Sequence, residues 1–144
     1  MEYASAIWDT TIQKDSDSLE RVQQKAARWA RGQYGTVSVT GLLKELGWDE
    51  LALRRRNQRL VLFYKILGKE IAIPPDSVDI VQNIRPARNK HSRQIRQVHG
   101  KDKCSPLWRG TIVSTVPQWN KLPTQCVEAE SLDSFKAQLG STIP

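Results

Sequence analysis

The residues best suited to chemistry in this sequence are a group of arginines on one predicted helix. Four guanidinium groups fall within six positions, at Arg54, Arg55, Arg56 and Arg59. Guanidinium groups bind phosphates and carboxylates, and at about 100° per residue these four spread around roughly two thirds of the helix surface. The alternative is an ordinary solvated face whose arginines pair with carboxylates such as Glu45, Asp49 or Glu50.

The charge distribution favours an anionic partner for these arginines. The chain of 144 residues has a net charge of +7, and all of the excess lies in residues 54–109, where fourteen cations face four carboxylates. A basic segment between nearly neutral ones is typical of a nucleic-acid contact surface, although an anionic membrane or an acidic protein would also fit. We therefore predict contacts with RNA or DNA backbones, and the polar, turn-rich part of this segment adds Arg93, Arg96, Lys101, Lys103 and Arg109. A disordered basic linker is the alternative for that part.

The sequence does not favour a metal, cofactor or nucleophile site. The intervals between the histidines and cysteines lack the close ligand pairs of structural zinc sites, and nothing brings a cysteine to a histidine; these residues are His91, His99, Cys104 and Cys126. No glycine-rich phosphate loop occurs either. We expect no cofactor, no metal and no small-molecule substrate. The tryptophans are interpreted first as core anchors, with Trp108 as the best base-stacking candidate.

Helices are expected to position these residues. Residues 49–69 form the most clearly marked helix, with Asp49 as its cap and with Leu60, Tyr64 and Leu67 on the face toward the core. Ahead of it, a helix ending at Gly32 is predicted to begin at a capping box between Asp17 and Glu20. The apolar face of that earlier helix contains Leu19, Val22, Ala26, Trp29 and Ala30. Its other face carries Arg21, Lys25 and Arg28, which are interpreted first as ordinary solvated charges and second as a basic strip.

The remaining elements complete a mainly α fold. Residues 39–46 are predicted to form a short helix ended by Gly47, and residues 131–139 another capped by Ser131. The strand signals are weak, but residues 94–98 and 104–108 are predicted to pair as a small hairpin. The resulting organisation is a helical bundle over residues 1–70 and a basic C-terminal extension over residues 71–144, whose terminal helix packs back on the bundle.

Several short motifs follow one another along almost the whole chain. They are EYASAIWD (2–9), LERVQ (19–23) with AAR (26–28), LGW (46–48) with Leu51 and Arg54-Arg55, LFYKIL (62–67), IPP (73–75), RQIR (93–96), TI (111–112), WNKLP (119–123) and SL (131–132) with Phe135-Lys136. Their order resembles the region that follows the polymerase palm in LINE-type, jockey-like non-LTR retrotransposon reverse transcriptases. The departure from that pattern lies at SPLWRG (105–110), where relatives have an aromatic segment.

This resemblance implies a thumb and C-terminal extension that grip a template and primer duplex without reading its sequence. The chain has no adjacent Asp-Asp pair for two metal ions, and the family's endonuclease is also absent, so it is expected to be no enzyme on its own, although the parent protein would be an RNA-directed DNA polymerase. Its expected partners are an RNA or DNA backbone and the palm domain of a reverse transcriptase. The alternative is a detached tail: a degraded transposable-element relic or a packing module without independent activity.

The sequence also predicts where such a protein resides. No stretch approaches the ~20 apolar residues of a membrane span, and the N-terminus lacks the features of a secretory signal. The two cysteines do not form a CxxC pair, which fits a reducing compartment. We expect an intracellular protein, nuclear or cytoplasmic and not secreted.

Overall fold

The structure, a computed structural model, describes residues 4–9, 12–33, 35, 37–72, 78–82, 91–100 and 106–142. This part of the chain is mainly helical, which confirms the predicted fold class. The helices are α1 (Ser5–Trp8), α2 (Gln13–Arg31), α3 (Val39–Glu45), α4 (Leu51–Leu67), α5 (Pro106–Trp119), α6 (Thr124–Val127) and α7 (Leu132–Thr142). The strands β1 (Val78–Gln82) and β2 (Ile95–Gly100) pair antiparallel.

The central helix α4 lies where the sequence predicts it, but its start is stabilised differently. The position before the helix is Glu50, not Asp49, and neither the side chain of Glu50 nor a local cap closes the first turn. Instead, the backbone N–H of Leu51 donates to Oε1 of Glu20 on α2 at 3.3 Å. The predicted Asp49 cap is therefore wrong, because a carboxylate from the neighbouring helix serves the same N–H group.

Helix α2 differs from its prediction in both its start and its orientation. It begins at Gln13, so Asp17 and Glu20 lie inside the helix and the predicted capping box is wrong. Its end at Gly32 is confirmed, since this glycine adopts the left-handed conformation at φ 62°. The face packed on the protein contains Gln23 and Ala27, whereas Trp29 is 75% exposed.

The core joins the second half of α4 to the C-terminal helices. The Trp119 ring packs edge-on against Phe63 with ring centroids 5.3 Å apart, and the Tyr64 ring stacks on Phe135 at 4.5 Å. All four side chains are at most 5% exposed. The expectation that the second half of α4 packs on a core is confirmed, and α7 packs back on α4 as predicted. The proposed boundary between two domains at residues 70 and 71 stays a prediction.

The strand pair confirms one strand of the predicted hairpin and corrects its partner. The predicted strand at 94–98 overlaps β2, but β2 pairs with β1. The second predicted strand covers residues 104–108, but residues 106–108 form the start of helix α5, which continues through Pro117. The prediction of a strand there is wrong. The side chain of Asn120 explains how β2 is held: it accepts from the N–H of Ile95 at 2.9 Å and donates to the C=O of Ile95 at 2.8 Å.

The two short helices follow their predicted signals. Gly47 adopts φ 64° after α3, and the N–H of Trp48 donates to the C=O of Leu43 at 2.8 Å, closing the helix end. At α7, the backbone N–H of Ser134 donates to Oγ of Ser131 at 3.2 Å, which confirms the Ser131 cap. Within the described part of the chain, none of the helices combines the length and apolar character needed to cross a bilayer.

Candidate nucleic-acid interface

The structure divides the four arginines of α4 into buried and accessible groups. Arg55 is only 2% exposed; its Nε lies 3.1 Å from Oδ1 of Asp9, and its Nη2 donates to Oγ of Ser16 at 2.9 Å. The expectation that Arg55 lies on the exposed surface of α4 is wrong, because its guanidinium has almost no exposed surface and its carboxylate partner keeps it in place. Its contact with a nucleic acid stays a prediction.

Arg59 belongs to the same buried group. Its Nη1 forms an ion pair with Oδ2 of Asp9, and its Nη2 donates to Oε1 of Gln118 at 3.3 Å. The side chain is 12% exposed, and burial lowers the pKa of the Arg59 guanidinium. This group still carries its charge at neutral pH, because an arginine pKa lies far above that range. The expectation that Arg59 is an exposed arginine is therefore wrong as well, and its contact with a nucleic acid stays a prediction.

Asp9, Arg55 and Arg59 together form an ion-pair cluster that joins four helices. Asp9 follows α1, both arginines belong to α4, and the hydrogen-bonded Ser16 and Gln118 lie on α2 and α5. None of the carboxylates considered from the sequence supplies the partner; Glu45, for example, pairs with Arg31 at 3.2 Å. Removing one member of a buried ion-pair cluster leaves the other charges unpaired, which destabilises the fold. The first role of this cluster is therefore structural.

The other two arginines of the group are more accessible. Arg54 is partly exposed and donates from Nη2 to the amide oxygen of Gln23 on α2. Gln23 in turn donates to the C=O of Asp49 at 2.8 Å, so Arg54 helps to join α2 to the start of α4. Arg56 is partly exposed and stays a candidate for a backbone contact.

Of the predicted contacts in the basic extension, the structure places two side chains. Arg96 on β2 is exposed, and Arg93 is partly exposed, with its guanidinium carbon 5.9 Å from the centroid of the Tyr64 ring. Lys101 and Lys103 lie outside the described residues. Arg109 lies on α5, but its side chain also lies outside what is described. The proposed contacts by these residues stay predictions.

A second basic surface is more accessible than the arginines of α4, and we call it the α2 basic face: Arg21, Lys25, Arg28 and Trp29. Arg21 and Lys25 are exposed, Arg28 is partly exposed, and Trp29 is 75% exposed. The three cations recur at helical spacing, so they lie along one stripe. No described carboxylate forms an ion pair with any of them.

The basic character of this surface is visible in the sequence. Residues 21–31 hold four cations and no carboxylate, so the second half of α2 is strongly basic. The orientation of the helix could not be read from the same pattern. The apolar pattern places Val22 and Trp29 on the face expected to pack on the protein, but the polar Gln23 occupies the buried face because it bonds Asp49 and Arg54. The prediction that Val22 and Trp29 face the core is wrong.

The tryptophans separate clearly between the two predicted roles. Trp119 is fully buried, and its Nε1 donates to the C=O of Arg93 at 2.9 Å, which confirms it as a core anchor. Trp29 is the described tryptophan best placed to stack on a base, because its ring is exposed beside cations. The side chain of Trp108, the favoured stacking candidate from the sequence, lies outside the described residues.

The described residues contain no group of three or more His, Cys, Asp or Glu side chains arranged to hold a metal ion. Cys126 is buried with its thiol free, and burial raises its pKa. His91 is also buried, with Nε2 at 3.1 Å from the C=O of Trp119.

Comparisons of the chain with models of protein families, with curated proteins and with solved structures find no match.

Proposed function

We propose that this chain is a non-catalytic nucleic-acid-binding module, equivalent to the thumb and C-terminal extension of a LINE-type reverse transcriptase. The observation that carries the proposal is the α2 basic face, where three cations without a described ion-pair partner flank an exposed tryptophan ring. Cations supply the attraction to phosphates, and an exposed aromatic ring can stack on any unpaired base. Such a surface binds without reading sequence.

The remaining candidates extend the same type of contact. Arg56, Arg93 and Arg96 are guanidinium groups with accessible surface. Lys101, Lys103 and Arg109 add charge in the sequence and belong to the same proposal. Arg55 and Arg59 are left out of it, because their buried pairing with Asp9 gives them another role.

The proposal is tested by fluorescence anisotropy with a labelled oligonucleotide at low and moderate salt. The double variant Lys25→Gln/Arg28→Gln removes two phosphate contacts and is expected to weaken binding more than about tenfold in 0.1 M salt. The matched control Lys69→Gln/Lys121→Gln makes the same change of charge at exposed positions outside the α2 basic face and is expected to bind within about twofold of the unmodified chain. Equal losses in both variants would show that total charge, not this surface, determines binding.

One observation favours the alternative of a packing module without its own activity. Val22 is 48% exposed and Trp29 is 75% exposed, and the two lie on the same side of α2 two turns apart. Exposed apolar side chains on one side of a helix are typical of a surface that another protein covers. In that case, Trp29→Ala would improve the monodispersity of the chain and leave nucleic-acid affinity unchanged. If Trp29 stacks on bases, the same substitution weakens binding to a single strand, by about 1–3 kcal/mol for one base.

A further inference from the structure

A polar cavity lies beneath the ion-pair cluster, where the end of α1, the first turns of α2 and the first half of α4 meet. Its volume is about 120 Å³. The polar side chains that line it are Asp9, Gln13, Ser16, Arg55 and Arg59. This volume is sufficient for a small ion such as phosphate.

The side chains around this cavity carry an unbalanced charge. Two guanidinium groups face one carboxylate, and the exposed fractions of Arg55, Asp9 and Arg59 are 2%, 6% and 12%. One positive charge is therefore in excess at a site that is largely shielded from water. Burying an unpaired charge is costly, and here the cost is increased because Nε of Arg59 is buried without a hydrogen-bond partner. A bound anion would balance the excess positive charge and accept a hydrogen bond from Nε of Arg59.

The chemistry of the lining fits an oxyanion. Guanidinium groups bind phosphate oxygens in pairs of parallel hydrogen bonds. From the side of α2, the Ser16 hydroxyl can donate, and the Gln13 amide, which already donates to Oδ1 of Asp17 at 2.7 Å, has a second N–H. We propose that the cavity binds a single phosphate-type oxyanion, with Arg55 and Arg59 as its main ligands.

This site is separate from the α2 basic face. Ser16 lies on the inner side of α2 and bonds Arg55, whereas Lys25 and Trp29 lie on the outer side. Loss of nucleic-acid binding at the outer face would leave the oxyanion site intact, and the reverse also holds. The phosphate can come from free inorganic phosphate or from the terminal phosphate of a nucleic acid.

The test is thermal unfolding of the full chain in sodium phosphate and in sodium chloride of matched ionic strength. We expect the melting temperature to rise with phosphate in a saturable way and not with chloride. Arg59→Gln removes one ligand charge and should weaken the apparent phosphate affinity at least about tenfold, whereas Lys121→Gln, an exposed control, should leave it unchanged. An absent phosphate effect, or the same effect in Arg59→Gln, would overturn the proposal.

A second variant keeps the test decisive if Arg59→Gln does not fold. Asp9→Asn removes the competing carboxylate, so phosphate should raise the melting temperature of this variant more than that of the unmodified chain. An equal or smaller rise would contradict the site. Binding of oligonucleotides with and without a 5′-phosphate then identifies the source of the phosphate. If the 5′-phosphate strengthens binding and Arg59→Gln abolishes that gain, the ligand is the terminus of a nucleic acid. If the two oligonucleotides bind equally while inorganic phosphate still raises the melting temperature, the ligand is the free ion.

Discussion

The ion-pair cluster of Asp9, Arg55 and Arg59 leads to a quantitative prediction about stability. Asp9 is the one described carboxylate that contacts both buried guanidinium groups. Replacing it by Asn keeps the shape of the side chain but removes the charge, which leaves two buried cations without a counter-charge. Breaking a buried pair by removing one partner costs about 3–5 kcal/mol. Because Arg59 retains some contact with water, we expect the lower end of that range, about 3 kcal/mol.

The assay is urea denaturation followed by circular dichroism, with thermal unfolding as a second measurement. For a chain of this size, a loss of about 3 kcal/mol corresponds to a decrease in melting temperature of roughly 10 °C. The matched control is Asp133→Asn, which removes a carboxylate from the pair with Lys136, where Asp133 is 94% exposed and the distance is 3.6 Å. That control should change the free energy of unfolding by less than about 0.5 kcal/mol.

Two outcomes would refute this reasoning. A loss below about 1 kcal/mol in Asp9→Asn would place the cluster among ordinary surface ion pairs. A loss of equal size in Asp133→Asn would show that net charge determines the effect and that burial does not. Either result would also return Arg55 and Arg59 to the candidates for nucleic-acid contacts.

Three further predictions concern chemistry, pH and the strand pair. With a primed RNA template, Mg²⁺ and nucleotides, the purified chain should not extend the primer, because its sequence has no adjacent Asp-Asp pair to hold two metal ions, and template-dependent extension above a buffer control would disprove this. Burial raises the pKa of the Cys126 thiol, so the unfolded state loses that proton first and stability should fall as pH rises above about 8.5; a Cys126→Ala variant with an equally steep decline would contradict this cause. Asn120→Ala leaves the N–H and C=O of Ile95 unpaired and should cost about 1–3 kcal/mol in urea denaturation, and a loss below 0.5 kcal/mol would mean that water replaces the amide.

The helices of this fold could be predicted from the sequence where the signals are local. The run of good helix formers ending at Gly68, the left-handed glycines Gly32 and Gly47, and the Ser131 cap all depend on neighbours in the chain. The start of α4 could not be predicted, since its N–H partner is Glu20, which lies 31 positions earlier. The same limit applies to β2: the sequence predicts a partner strand after it, at residues 104–108, but β2 pairs with β1, which precedes it in the chain.

For the candidate site, the sequence predicts the presence of a basic surface but not the arrangement of its residues. A basic protein surface was predicted from charge alone, but charge does not tell which guanidinium is buried. Arg55 and Arg56 are adjacent in the sequence, and only the position of Asp9 makes Arg55 a structural residue. Trp29 was misplaced for a related reason: a helix with apolar residues on one side still turns that side outward when Gln23 makes the better interhelical hydrogen bonds.

The central claim is that accessible cations on this chain bind nucleic-acid phosphates, and the salt dependence of binding tests it most directly. With four to six phosphate contacts, the logarithm of the binding constant should fall against the logarithm of salt concentration with a slope of about −4 to −5 on duplex DNA. The triple variant Arg21→Gln/Lys25→Gln/Arg28→Gln should flatten that slope by about two to three units with little effect of the oligonucleotide sequence. No measurable binding at low salt, or an unchanged slope in the triple variant, would contradict the account.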